Sequence, residues 1–271
     1  MVEKKTIESS RGTICYFKTA HVSGRPTVIF LHGLSANHTT WLNIMEKIAA
    51  NGYNAIAPDI RGHGESDMAK ERSRYRLEIF SNDIELIVKN EGLEKFVLVG
   101  YSFGGGIAID YTIKHPSRVF GLVLVSVNYV SPLLYKNLGF LNPVVYWVLR
   151  IFASLLKWQK RKSYYTYDHA SSAGYWHSTW IGLNTMPVSV NFWMLAETLK
   201  FDFRKSISKI TAPALIVRSK FDPFLSMEEA EDMARAMRQG KVVISAHPNH
   251  FIASQSQKEL YKIIAKFMEN L

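Results

Sequence analysis

The sequence predicts an α/β fold in which a mostly parallel central sheet is flanked by helices on both faces and interrupted by an insertion after the sixth strand. Three observations carry this. Short runs rich in β-branched residues alternate with helix patterns along the chain, and that alternation implies crossover connections and parallel strands. The runs lack polar alternation, as strands covered on both faces do. Residues 131–205 hold 16 of the chain's 34 aromatic side chains and nine Lys or Arg against three Asp or Glu, so they stand apart from the ordinary composition on either side.

From the amino end, Thr6–Ser9 and Thr13–Lys18 are extended and suit an antiparallel edge pair. Thr27-Val28-Ile29-Phe30-Leu31 is the first buried strand, and the helix pattern of Thr40–Ala50 follows it. Strand Tyr53–Pro58 leads to helix Leu77–Asn90, strand Phe96–Tyr101 to helix Phe103–Lys114, and Val119–Val125 ends the first half as the sixth strand. Within the insertion, Pro143–Leu156 and Val190–Lys200 read as helices that are apolar on too much of their circumference to stand alone. The alternation then resumes with strand Ala214–Arg218, helix Met227–Arg238, strand Lys241–Ser245 and a closing helix over Lys258–Asn270. In such a sheet, ligands bind at the carboxyl ends of the strands.

A chain of 271 residues, 47% hydrophobic and 21% charged, suits one globular domain with an insertion and excludes disordered, collagen-like and disulfide-scaffold classes. Its one cysteine, Cys15, can form no internal disulfide and lacks a CxxC partner for metal or redox chemistry. The polar start MVEKKTIESS lacks the apolar core of a signal peptide, and Asn142, Pro143 and Arg150 interrupt the longest apolar stretch, 138–156. A cytoplasmic protein is expected. The net charge of +10 raises nucleic acid and anionic membranes as partners, but the excess is concentrated in the apolar insertion, with no nucleic-acid recognition motif. No nucleic-acid partner is expected.

The motif that decides the chemistry lies at one strand end. Phe96-Val97-Leu98-Val99 runs into Gly100-Tyr101-Ser102-Phe103-Gly104, and a helix pattern follows directly. This is G-x-S-x-G in the strand–turn–helix context that gives the motif its meaning. So tight a turn needs residues without bulk two before and two after the serine. It also delivers the Ser102 hydroxyl to a helix N-terminus, where N–H groups and the helix dipole favour an anion.

A serine hydroxyl is a weak nucleophile, so it needs a base within reach and a carboxylate to orient that base. Both should come from later strand ends. Ser219-Lys220-Phe221-Asp222-Pro223 follows one strand and offers Asp222, and His247-Pro248-Asn249-His250-Phe251 follows the last and offers two imidazoles. The order is then Ser102, Asp222, His250. The sixth strand is followed by Ser126, Val127 and Asn128, which carry no carboxylate.

Nearly the whole chain resembles the α/β-hydrolase fold serine hydrolases of the esterase, lipase and monoacylglycerol-lipase-like type. Thr27–Leu34 is similar to the family's strand and HG turn, Asp59–Ser66 to its D-x-R-G-x-G-x-S loop, and His115–Val119 to its next helix-to-strand turn. The resemblance implies that the Leu34 and Phe103 N–H groups form the oxyanion hole and that Asp59, His63 and His115 are structural. In the family the catalytic histidine usually follows glycine. Asn249 stands there instead, and spacing together with the apolar Phe251–Ile252 selects His250.

The resemblance also implies an α/β-hydrolase core over 1–130 and 206–271, and a helical cap over 131–205 that covers the cleft. Trp147, Trp176, Trp180 and Trp193 as a group suggest an apolar pocket lined with rings. The run Lys157–Lys162 beside an apolar segment suits weak contact with a membrane surface through the cap. The function implied is hydrolysis of a small-molecule carboxylic ester through an acyl-enzyme on Ser102, a chemistry that needs no cofactor. A serine at the elbow sets the chain apart from the haloalkane dehalogenase and epoxide hydrolase relatives, which use aspartate there. Carbon–carbon bond hydrolysis, thioester or amide cleavage, acyl transfer and ligand binding without catalysis on the same frame stay open.

Overall fold

A computed structural model describes residues 2–156, 166, 180 and 184–271. Its eight-stranded sheet comprises β1 (Val2–Ser9), β2 (Gly12–Thr19), β3 (Thr27–Leu31), β4 (Asn54–Pro58), β5 (Phe96–Tyr101), β6 (Val119–Val125), β7 (Ala214–Ser219) and β8 (Gly240–Ser245). The spatial order is β1-β2-β4-β3-β5-β6-β7-β8. β1 and β2 form an antiparallel hairpin, β2 joins β4 antiparallel, and every pairing from β4 to β8 is parallel. The strand and helix expectations hold, with ends displaced by one or two residues in most elements and more in the terminal hairpin.

The core divides by strand parity, because successive side chains point to opposite faces. Ile29, Leu31, Leu98 and Ile216 face the layer formed by α2 (Leu77–Asn90), α3 (Phe103–Lys114) and α6 (Met227–Ala236). Val28, Phe30, Val97, Val99 and Val217 face α1 (Leu42–Ala50) and α7 (Gln257–Met268). Every residue of β3, β4 and β5 is buried, so these strands read as continuous apolar runs. A buried ion pair joins the layers: Arg61 Nε and Nη2 donate to the Asp83 carboxylate at 2.9 and 2.7 Å, and α2 is thereby tied to the loop after β4.

Between β6 and β7 lie α4 (Asn142–Leu155) and α5 (Val188–Thr198), which pack on each other. α5 buries Val190 and Met194 against the core, whereas α4 turns Arg150 and Ala153 inward and leaves its opposite face in solvent. Trp147 and Trp180 are 58% and 68% exposed. In α4 the inward face passes through Tyr146 and Arg150, and one residue's rotation of 100° carries Trp147 away from it. Trp193 does pack inward, its ring 5.9 Å from that of Tyr75. Trp176 and the basic run 157–162 lie outside the described residues. Among the described residues, no helix is long and apolar enough to cross a membrane.

Candidate active site

The turn from β5 into α3 forces Ser102 to φ 50° and ψ −117°, a region that residues with a Cβ rarely occupy. Two glycines make this possible. A Cβ on Gly100 would lie 2.6 Å from Gly105 Cα, and one on Gly104 would run into the carbonyl oxygens of Leu31 and His32. The Ser102 N–H is satisfied by the Val125 carbonyl at 2.9 Å, which locks the elbow to the end of β6.

Two further strand ends meet the serine. His250, in the loop after β8, places Nε2 2.9 Å from Ser102 Oγ, and its Nδ1 lies 3.1 Å from each carboxylate oxygen of Asp222, which follows β7. With the Nδ1 proton directed to the carboxylate, Nε2 is the lone-pair acceptor for the serine hydroxyl. Burial alone would push the Asp222 carboxyl up. The hydrogen bond from His250, the field of that imidazole and the Phe224 N–H at 2.9 Å outweigh it and hold the carboxyl below its usual range. His247 takes no part: its Nε2 pairs with Asn249 Oδ1 at 3.0 Å.

The His32-Gly33-Leu34-Ser35 turn runs past the elbow so closely that a Cβ on Gly33 would sit 3.4 Å from Ser102 Cβ. Among the described residues, neither the Leu34 nor the Phe103 N–H has an acceptor, so both stay available to an anion. Two buried histidines anchor the turn. His32 Nε2 accepts the Ile60 N–H at 3.0 Å, and His63 Nε2 accepts the Ser35 N–H at 3.0 Å. Burial pushes these imidazoles down to about 4 and about 3, so each stays neutral and keeps its lone pair. Asp59, also buried, accepts the His38 and Glu65 N–H groups at 2.7 Å, and His115 ends α3. Neither of these two residues meets the serine.

Several neighbours carried no sequence signal. Tyr101 Oη donates to the His250 carbonyl at 3.0 Å, and the Phe224 ring stands edge-on to the imidazole at 4.9 Å. Behind the Asp222 loop, the carboxylate of buried Glu229 accepts from Asn128 Nδ2 at 3.0 Å, and the same amide donates to the Phe224 carbonyl. Burial pushes the Glu229 carboxyl up to about 7, with the nearby Asp222 charge adding to the rise. Only the spatial meeting of β6, β7 and α6 reveals this group. Among the described residues, no group of three or more His, Cys, Asp or Glu could hold a metal ion.

A family model described as the alpha/beta hydrolase fold matches residues 26–256. The AB hydrolase superfamily protein YisY of Bacillus subtilis (strain 168) is 26% identical over 255 residues, a match that covers 90% of this chain and 91% of that protein. Epoxide hydrolase 4 of Homo sapiens is 30% identical over 169 residues, 58% of this chain and 42% of its own length. Among solved structures, the thioesterase domain from the curacin biosynthetic pathway superposes with a TM-score of 0.77 at 17% identity, covering 98% of this chain and 99% of that one. The esterase EaEST from Exiguobacterium antarcticum superposes at 0.74 and 20%, covering 97% and 98%. At such identities the superpositions speak for the fold alone.

Glu229 sets a stability prediction. A carboxyl raised from 4.5 to about 7 binds more protons in the folded than in the unfolded state across that interval, so its contribution to stability is lost as pH rises through it. Glu229→Gln keeps the bond from Asn128 and removes the buried charge. It should raise the unfolding free energy from urea titration at pH 8 by roughly 1–3 kcal/mol, and change it little at pH 5. A greater loss of stability at pH 8 than at pH 5 would contradict the assignment.

Proposed function

This chain belongs to the α/β-hydrolase family, and from that frame we propose that it is a serine hydrolase cleaving carboxylic esters with an apolar acyl or alcohol group. The observation that carries the reading is the unbroken relay from Ser102 Oγ through His250 to Asp222, at 2.9 and 3.1 Å. Ser102 Oγ attacks the ester carbonyl carbon while His250 Nε2 takes the hydroxyl proton. The carbonyl oxygen gathers the negative charge and is held by the Leu34 and Phe103 N–H groups. Asp222 keeps the imidazolium oriented and stabilised. Collapse of the tetrahedral intermediate releases the alcohol with the proton from Nε2 and leaves an acyl-enzyme. Water, deprotonated by the same imidazole, then attacks the acyl carbon and returns Ser102.

Ser102 argues against the aspartyl-ester chemistry that the resemblance associates with epoxide hydrolases, since a hydroxyl, not a carboxylate, occupies the elbow. The proposed division is a hydrolase core over 1–130 and 206–271 with a cap over 131–205. The cap's apolar residues suit an apolar group on the substrate. A lone buried Cys15 fits the reducing cytoplasm, which is the proposed location.

We also propose that the cap touches anionic lipid. α4 presents Val144, Trp147, Val148, Ile151 and Leu155 to solvent as one stripe, and the sequence continues directly into Lys157, Lys160, Arg161 and Lys162. An exposed apolar face with Trp, next to cations in a chain of net charge +10, matches the chemistry of an anionic bilayer surface.

Three outcomes test these readings. Ser102→Ala and His250→Ala should each lower kcat by about 10⁴–10⁶ and leave the fold intact, and Ser102→Ala should abolish fluorophosphonate labelling, whereas His247→Ala stays close to wild type. Near-normal turnover by folded Ser102→Ala would remove the mechanism. On p-nitrophenyl esters from acetate to palmitate, kcat/KM should rise with chain length and then fall, each buried methylene contributing about 0.8 kcal/mol until the pocket is filled. Acetate as the best substrate by a wide margin would refute the apolar preference. Sedimentation with anionic vesicles should show binding at low salt that fades as screening shortens, and Trp147→Ser should weaken it. Absence of binding at both salt levels would return the stripe to a solvent-exposed role.

A further inference from the structure

One peptide unit lies between the turn of Ser102 and the strand that leads to Asp222. At the end of β6 the Val125 carbonyl accepts the Ser102 N–H at 2.9 Å, and across the same peptide bond the Ser126 N–H donates to the Val217 carbonyl of β7 at 2.8 Å. Ser126 then turns at φ 52°, in the left-handed region, and Asn128 follows two residues later. Asn128 thus stands just beyond a peptide unit that hydrogen bonds hold against the nucleophile's turn.

The amide of Asn128 meets two acceptors. Its Nδ2 donates to the Phe224 carbonyl with one proton and to the two oxygens of the buried Glu229 carboxylate, at 3.0 Å each, with the other. Both neighbours accept, so the nitrogen of the amide must face them, and this fixes which way round the group lies. Burial raises the Glu229 carboxyl to about 7, yet an oxygen is left to accept whether that group is ionised or neutral. Among the described residues, no other donor reaches the Phe224 carbonyl.

Phe224 in turn meets both partners of the serine. Its N–H is 2.9 Å from Asp222 Oδ1, and its ring stands edge-on to His250 at 4.9 Å. The rest of the loop is tied to its own strand, because Arg218 of β7 donates to the Leu225 carbonyl at 2.7 Å and to the Lys220 carbonyl at 2.9 Å. Asn128 ties it instead to the end of β6, the strand beside the nucleophile's.

We propose that Asn128 is a positioning residue for the Ser102–His250–Asp222 relay: by holding the Phe224 carbonyl it sets where the Phe224 N–H meets Asp222 and where the ring meets His250. Glu229 keeps the amide turned toward that carbonyl. The proposal rests on the reading of the three residues as a serine hydrolase relay. The hydrogen bonds of Asn128 go to none of the three side chains, so its loss acts through Phe224 on the step in which Asp222 steadies the imidazolium, and therefore on kcat. A displacement on the order of 1 Å in such a contact costs up to about 100-fold.

The test compares Asn128→Ala, Glu229→Gln and the double variant Asn128→Ala/Glu229→Gln. The double variant strands no ionised carboxylate when the amide is removed, and so protects the fold. Two readouts are taken: kcat and KM on a p-nitrophenyl ester, and the downfield proton NMR signal of His250 Nδ1–H in its bond to Asp222. Both proteins that lack the amide should lose roughly 10–100-fold in kcat with KM within about threefold, and their signal should shift or broaden. Glu229→Gln keeps an acceptor for Asn128, so it should lose less than about threefold in kcat and retain the signal. Wild-type kcat and an unchanged signal in folded Asn128 variants would overturn the proposal, as would a change in stability or KM alone. A loss in Glu229→Gln as large as in Asn128→Ala would also overturn it, since the charge and not the amide would then carry the effect. The NMR signal needs no substrate. If the wild type turns over no ester, the ester reading falls while the signal still decides the role of Asn128; if turnover is normal in every variant and the signal is unchanged, the role of Asn128 falls and the ester reading stands.

Discussion

The backbone strain at Ser102 depends on the sheet around it, and the rest of the site is arranged about that strain. A serine at φ 50° is tolerated only if its surroundings fix the turn more firmly than the turn resists. Here β5 lies between β3 and β6 with all its residues buried, α3 starts immediately after the serine, and Gly100 and Gly104 let the helix, β5 and the end of β3 approach within distances that a Cβ would block. Parallel pairing from β4 to β8 then brings the loops after β7 and β8 to the same edge of the sheet as the serine. The apolar runs that build the sheet and the polar residues that follow their ends are thus one design: the strands set where Ser102, Asp222 and His250 meet.

Around that meeting point the electrostatics separate by burial and partner. Asp222 gains hydrogen bonds from His250 and the Phe224 N–H that hold its carboxyl low, whereas for Glu229, one layer behind it, burial outweighs the hydrogen bonds from Asn128 and Ser226 and raises the carboxyl to about 7. Burial raises both carboxyls, and the difference lies in the partner: the His250 imidazole beside Asp222 has no counterpart at Glu229. His32 and His63 follow the same logic with the opposite sign. Desolvation keeps them neutral, and only a neutral imidazole can accept the Ile60 and Ser35 N–H groups that set the turn.

The strands, the helices that cover them and the order Ser102, Asp222, His250 were legible because each has a local signal: an unbroken apolar run, a helical period, or a polar residue at a strand end. The choice between His247 and His250 was less so, since both follow β8, and it turns on a side-chain pairing of His247 with Asn249 that spacing alone does not reveal. Tyr101, Phe224, Asn128 and Glu229 were not legible at all. Their contacts join positions up to 149 residues apart, and each residue taken alone fits an ordinary core or loop. The direction in which Trp147 turns was not legible either: an all-round apolar helix does not announce which face it buries, and α4 buries the face with Arg150.

The turn that carries Leu34 shows how the insertion and the core depend on one another. Ser35, itself at φ 62°, gives its N–H to His63 in the core, accepts at its carbonyl from Thr185 Oγ1 at 2.8 Å, and accepts at Oγ from Asn191 Nδ2 at 2.7 Å. Thr185 and Asn191 belong to the segment between β6 and β7, with Asn191 on α5. One side of the turn is therefore fixed by a neutral histidine and the other by the insertion. Moving α5 by even one ångström would break bonds that act on the residue next to Leu34, because hydrogen bonds weaken steeply outside their narrow range of distance and angle. The orientation of the Leu34 N–H is thus a property of the core and the insertion together, and a change confined to α5 reaches the elbow through Ser35 without touching Ser102.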